Sequence, residues 1–526
     1  MVDPTAEDRS PAAQRPGPPA GFRPGPHRDL TTGPIGRTLL MFSLPVLGSN
    51  ALQSLNGSAN AAWVSHALGE AALAATSNAN IILFLLLGAA FGVTMAANLM
   101  IGQAIGARNP DLARRVVGTS TTFFIALSLA VGLGGYLMTP SILGLVQTPM
   151  DARADAIAYL QVIFLAMPFM YFFTFVMMAM RATGDSRTPF YFSMVAVAMD
   201  VVLNPVLIMG LGPAPRLGIA GSALATLTSQ TITLAAMVGY LYRTHSVLVL
   251  RPHELRLLRP DLAIIKTLVL KGVPMAIQMV VISGSAVAMI SMVNRYGSHM
   301  AAAYGAATQL WTYVQMPAMA LGAAVSSMAA QNVGAGRMDR VDRIAWIGAL
   351  YAAAMTALPI AVLYAIEPVA LNLFLPGASP ALPLARHINA LVMWGFVPFG
   401  VTFVLTGIVR ATGAVWPPLL GMIIAMWIVR VPSAALLLPY LGADAIWWSF
   451  PAGSVTSLLL AAGYYRWGGW RKARLLDDAP RGQVPDTGMG PPSCAEETET
   501  AAEVVEEVMH SAPSTPNRRE SEAPAE

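Results

Sequence analysis

The chain has 526 residues, 55% of them apolar and 11% charged, with a mean hydropathy of +0.57. A soluble domain carries about 25% charged residues, so this composition excludes a set of ordinary soluble domains. The net charge of +4 rests on 29 Arg and 3 Lys against 28 acids and is not a nucleic-acid footprint, and a lone Cys494 in a polar tail excludes a disulfide framework or thiolate metal cluster.

Residues 1–35 are rich in Pro, Gly and Arg and have no apolar h-region, so no cleavable signal peptide is expected and the segment reads as a disordered tail. Apolar stretches long enough to cross a bilayer follow, predicted at 37–64, 73–101, 117–138, 156–180, 188–211, 219–242, 264–294, 301–328, 344–366, 387–409, 415–440 and 444–466. The fold class expected is an all-α membrane protein of twelve spans. Its parts are an N-lobe over 36–243, a linker over 244–263, a C-lobe over 264–470 and a disordered acidic tail over 471–526. Pro45, Pro168, Pro274, Pro317 and Pro432 fall inside spans, where neighbouring helices can satisfy the freed carbonyls.

The even-numbered connections hold fifteen Lys and Arg, the odd-numbered ones only Arg153, Arg216, Arg295 and Arg386. That bias puts the even loops and both termini in the cytoplasm. The Arg-over-Lys, Ala-rich composition suggests a GC-rich bacterial genome, and the location expected for the chain is the bacterial inner membrane. The halves repeat: GQAIGARNPDLARRV (102–116) aligns with AQNVGAGRMDRVDRI (330–344) at an offset of 228, and RATG at 181–184 recurs at 410–413. Six helices per half make both halves enter from one side. They are then related by an axis along the membrane normal, with a cavity between them.

No GxxxxGK[ST] motif is present, which disfavours direct ATP-driven pumping. The histidines are dispersed, which disfavours a metal-dependent enzyme. Of the twelve acids between 37 and 470, Asp200 alone lies at mid-span, with Asn204 on the same helical face. A carboxylate in hydrocarbon prefers its proton, and a cavity or a cation draws it back toward ionisation, so such a group can exchange H⁺ or Na⁺. The competing reading is a permanent helix–helix hydrogen bond. Helix 1 carries a polar stripe of Asn50, Gln53, Asn56 and Asn60; helix 6 carries Ser222, Thr226, Ser229 and Thr233. Either stripe lines a wet cavity or serves as small packing residues. Arg430 is the one basic residue read as deep in a span, and a static role and a substrate contact both stay open.

These residues resemble the multidrug and toxic compound extrusion (MATE) family over roughly 36–466. The resemblance rests on the first helix LPVLGSNALQSLNGSANAAWVSHALGEAALAA, the GQ-x-x-GA-like loops after helices 2 and 8, and LNPVLIMGLGPAPRLGIAGSALATLTSQ at 203–230. It implies two lobes in a V and export of mostly cationic, amphipathic compounds in exchange for H⁺ or Na⁺. It implies ion coupling at Asp200, Asn204, Asn60 and Thr226; the polar stripes and the deep arginine put Gln53, Asn56, Ser222 and Arg430 at the expected substrate cavity. Two departures stand out. Asn60 occupies a position where many members have an acid, and Asp200 and Asn204 before Pro205 invert the family's Asn-x-x-x-Asp order. H⁺ is favoured over Na⁺, with no cofactor; the expected partners are a small organic substrate and membrane lipids, with no nucleic acid, and the expected state is a monomer. A lipid-linked precursor flippase would want a basic cavity, and a prenyl transferase would want clustered acids for Mg²⁺-bound diphosphate. Neither feature is read in the spans. A narrow metabolite exporter would look the same in sequence.

Overall fold

The computed structural model describes residues 29–145, 150–211, 215–372, 374–375, 379–473 and 475. The predicted disorder of most of both tails therefore falls outside the described residues. Everything described lies in one compact unit, and among the described residues there is no strand.

The first lobe is α1 (Ile35–Leu68), α2 (Glu70–Gly106), α3 (Pro110–Leu145), α4 (Met150–Ala182), α5 (Arg187–Met209) and α6 (Ile219–Arg243). The second begins with α7 (Leu262–Asn294), α8 (Ser298–Gly334) and α9 (Met338–Ala365), followed by a short α10 (Glu367–Asn372) that the apolar pattern does not predict. The tenth span is α11 (Ala381–Val392) and α12 (Phe396–Ala411), joined by a 3-10 turn. The eleventh is α13 (Trp416–Ile423) and α14 (Val431–Leu441), and the twelfth is α15 (Asp444–Trp467).

Ten of the described helical spans are long and apolar enough to cross a membrane; α1 and α8 fall short in apolarity. Both carry amides inward, Asn50 and Asn56 on α1 and Gln331 and Asn332 on α8. Outer faces are apolar and uncovered, with Leu137 69%, Leu358 67% and Trp346 71% exposed, as a hydrocarbon solvent allows. Pro45, Pro168, Pro274 and Pro317 lie inside their helices as predicted. Pro432 instead follows a π-helical stretch, Ile424–Arg430, at the first turn of α14. The wider π register absorbs the bond that a proline cannot make.

The lobes meet through α2 against α7 and α8, and α1 against α8. Glycines permit the closest crossing of α2 and α7: a Cβ at Gly92 would lie 2.3 Å from the Ala276 backbone N, and one at Gly272 2.8 Å from Val93 Cα. The hydrogen bonds between lobes gather at the even-loop end. Leu30 is buried there, its N–H donating to Gln331 Oε1 and its carbonyl accepting from Asn332 Nδ2. Arg337 and Arg340 donate to the carbonyls of Thr31, Thr32 and Gly33. The expected disorder of 1–35 is thus corrected at its end, because residues 29–34 answer polar groups of the opposite lobe. At the other terminus Trp470 is fully buried and stacks on Tyr465, and Arg471 is ordered with it.

The linker is fastened to α3. Thr122 donates to the Leu258 carbonyl at 2.7 Å, Arg114 pairs with Glu254 at 3.0 Å, and Arg115 with Asp261 at 2.7 Å. Asp261 also caps α7 by accepting from the Ala263 and Ile264 amides. The Arg115 guanidinium first, and those amides after it, hold the Asp261 carboxyl below the ordinary carboxylate range. A depressed folded value means stability present above the unfolded value, about 3.9, and lost as pH falls through the folded one. Asp261→Ala should lower stability by about 1 kcal/mol at neutral pH. The gap in thermal denaturation should narrow on acidification; a gap that does not narrow sinks the capping account.

Candidate functional site

A cavity of about 450 Å³ lies between the lobes, walled mainly by α1, α2, α4, α5 and α6, with α7, α8 and α12 contributing from the second lobe. Its polar wall is the α1 stripe, where Asn50, Gln53, Asn56 and Asn60 all line it, opposite apolar side chains such as Phe91, Phe173 and Phe403. Six methionines, Met95, Met170, Met177, Met178, Met279 and Met319, add an adaptable surface. Two of them, Met177 and Met178, belong to the run FVMMAM at 175–180.

Asp200 is 2% exposed and lines this cavity. Its Oδ2 accepts from Asn56 Nδ2 at 2.8 Å and its Oδ1 from Thr226 Oγ1 at 3.2 Å, so three helices converge on one carboxylate. No cation lies within ion-pair distance of it among the described residues. Asn204, 1% exposed, donates from Nδ2 to the Asp200 carbonyl at 2.9 Å and does not line the cavity. A backbone carbonyl four residues back sits on its own helical face, which is why the amide turns there. The Oδ1 atoms of Asn56 and Asn204 have no hydrogen-bond donor.

Asn60 accepts from Ser222 Oγ at 2.5 Å, one turn of α1 beyond Asn56. Ser222 is buried in that contact and, contrary to expectation, does not line the cavity. A serine that close to an α1 amide is covered by it. Thr226 Oγ1 also donates to the Ser222 carbonyl at 3.4 Å, so six of the eight predicted site residues, Asp200, Asn204, Asn56, Asn60, Ser222 and Thr226, form one linked polar patch, with Gln53 on the wall beside it.

Arg430 departs from its predicted place. It does not line the cavity; its guanidinium lies 3.6 Å from the Phe450 ring centroid and its Nη1 3.4 Å from Met426 Sδ. A guanidinium is weakly hydrated and stacks on aromatic faces, so an aromatic cluster around Tyr304, Trp311 and Phe450 can house it.

The basic residues that do reach the cavity are Arg181 and Arg410. The reading of Arg430 as the one deep basic residue is corrected accordingly. Both arginines begin the RATG repeats, counted in sequence as loop residues, yet they occupy the buried last turns of α4 and α12. Beneath them the two motif pairs interlock. Gln103 Nε2 donates to the Ala411 carbonyl at 2.6 Å, and Gln331 Nε2 to the Ala182 carbonyl at 2.7 Å. Each glutamine of one lobe thus holds the RATG backbone of the other. The signal available in sequence was the nearly equal spacing of the two repeats, 228 for the glutamine loops and 229 for RATG; nothing in it said that the four pieces touch.

The protein-family profile described as MatE matches residues 45–206 and 274–436. The two stretches begin 229 residues apart and end 230 apart, in step with the spacing of the RATG repeat. The chain is 36% identical to the "Probable multidrug resistance protein YoeA" of Bacillus subtilis over 84% of this chain and 95% of that one. It is 28% identical to a FAD transporter of Shewanella oneidensis over 60% of this chain and 69% of that one. A solved outward-facing conformation of a multidrug resistance MATE family transporter superposes with a TM-score of 0.77 at 18% identity, covering 83% of this chain and 96% of that one.

Proposed function

The chain belongs to the MatE family of multidrug and toxic compound extrusion transporters, and from that premise we propose that it exports small organic compounds, cationic amphipathic ones among them, in exchange for H⁺ at Asp200. It is a multi-pass membrane transporter and not an enzyme. The observation that carries the coupling is Asp200 itself: a carboxylate on the cavity wall, held by Asn56 and Thr226, with no cation within ion-pair distance among the described residues. Such a group binds either a proton or a cationic substrate, and competition between the two is exchange.

A second reading, Na⁺ in place of H⁺, is favoured by the donor-free Oδ1 atoms of Asn56 and Asn204, since hard cations take oxygen ligands. With the even loops on the cytoplasmic side of a bacterial inner membrane, both termini are cytoplasmic. The interlocked end then faces the cytoplasm, and the cavity serves the outer side. One chain holds the whole site, so a monomer suffices.

Efflux of a panel of organic cations from proteoliposomes, driven separately by a proton and a Na⁺ gradient, tests this. Drive by the proton gradient alone is the expected result, drive by Na⁺ alone selects the second reading, and drive by neither overturns the exchanger.

A further inference from the structure

Two guanidiniums, one from each lobe, stand at the floor of the cavity without a counter-ion. Arg181 is 5% exposed and Arg410 8% exposed, and both line the cavity. Among the described residues no carboxylate lies within ion-pair distance of either. Arg181 Nη1 meets only Met178 Sδ, at 3.9 Å. Arg410 Nη1 donates to Gln278 Oε1 at 3.1 Å, and its guanidinium lies 5.9 Å from the Phe403 ring centroid. The Nε of both has no acceptor. A buried charge is ordinarily paired or hydrogen-bonded throughout, and these are neither.

We propose that Arg181 and Arg410 form an anion subsite, taking a phosphate or carboxylate group at the cavity floor. A guanidinium presents a planar fork of donors matched to such oxygens, and a low-dielectric wall strengthens each bond. Gln278 fixes the Arg410 fork from one side; its own Nε2 lacks an acceptor and is a further donor beside the site. The cavity is then bipolar, with Asp200 on its wall and two cations on its floor, and it accepts ligands carrying an acidic group. The subsite also spans the lobes. Each arginine precedes the carbonyl that the opposite glutamine holds, at Ala182 and Ala411, so an anion between them favours the interlocked end. The proposal stands on the cavity and the arginines, not on the coupling at Asp200.

The anion can arrive as part of an organic ligand or as free phosphate. Calorimetric titration of the purified full chain in lipid nanodiscs, with no ion gradient, separates these using 1-naphthyl phosphate, 1-naphthol and inorganic phosphate. Naphthyl phosphate should bind at least about tenfold more tightly than naphthol, the effect of one charge-assisted contact. Arg181→Gln and Arg410→Gln should each remove that preference, and Arg410→Lys should keep part of it. Inorganic phosphate binding as tightly as naphthyl phosphate supports the subsite with the free anion as its ligand; weaker binding supports an acidic group on an organic ligand. Equal affinity for naphthyl phosphate and naphthol, or an unchanged preference in folded Arg→Gln variants, overturns the proposal. Gradient-driven efflux is a separate readout: its failure with phosphate preference intact removes the exchanger alone, and the reverse removes the anion subsite alone.

Discussion

Asp200→Asn abolishes gradient-driven efflux in proteoliposomes and leaves the protein folded. The amide is nearly isosteric: its oxygen can still accept from Thr226 Oγ1, and its NH2 can donate to the Asn56 Oδ1, which has no donor now, once the Asn56 amide flips, so the patch joining α1, α5 and α6 keeps its geometry. What it lacks is a second protonation state and a negative charge. Replacing a buried ionisable group by a neutral one of the same shape is often neutral or stabilising, so the melting temperature should hold or rise. Efflux should fall to the passive leak under either gradient, while substrate-for-substrate exchange without a gradient should persist in part. An Asp200→Asn protein that still concentrates substrate against its gradient would falsify the coupling role.

Gly106→Ala is the second large effect. A Cβ there would lie 1.9 Å from the Gln331 carbonyl oxygen and 2.6 Å from its carbon; the reciprocal Cβ at Gly334 would lie 2.0 Å from the Gln103 carbonyl oxygen. These obstacles are backbone, which no rotamer can move aside, so α2 and α8 must part by about 1 Å or more at this end. Parting breaks the paired Gln103–Ala411 and Gln331–Ala182 bonds together. An enclosed end is one of the two states alternating access requires, so transport should fall by more than about tenfold, and the population should shift to a state open at this end. Spin labels at Asp111 and Asp339, exposed residues just past the two glycines, should report a longer separation. Gly134→Ala, whose Cβ would meet nothing within 4 Å, serves as the control and should change neither readout. An unchanged label distance in the Gly106→Ala protein would show that the crossing yields without opening.

Much of this molecule was legible in one dimension. Hydrophobic length predicted the spans because hydrocarbon imposes the same demand on every crossing segment, whatever its neighbours. Asp200 stood out for the same reason: a lone acid in such a segment is conspicuous before any contact is known. The repeat was legible at Gln103 and Gln331 and at the two RATG segments, since duplicated residues keep their spacing. Arg181 and Arg410 were misread because the end of a helix and the start of a loop look alike in composition. Arg430 was misassigned to the cavity because burial in a span does not say which way a side chain turns.

The sequence by itself determined that the chain crosses a membrane about twelve times in two similar halves, and that one carboxylate is buried where carboxylates are rare. Those properties belong to single segments and to the solvent around them. Only the tertiary structure decided that Asn56 and Thr226 reach Asp200, that each half's glutamine grips the other half's RATG turn, and that two arginines counted as loop residues face the cavity. These are contacts between residues 26 to 308 positions apart, and helix packing alone fixes which faces meet.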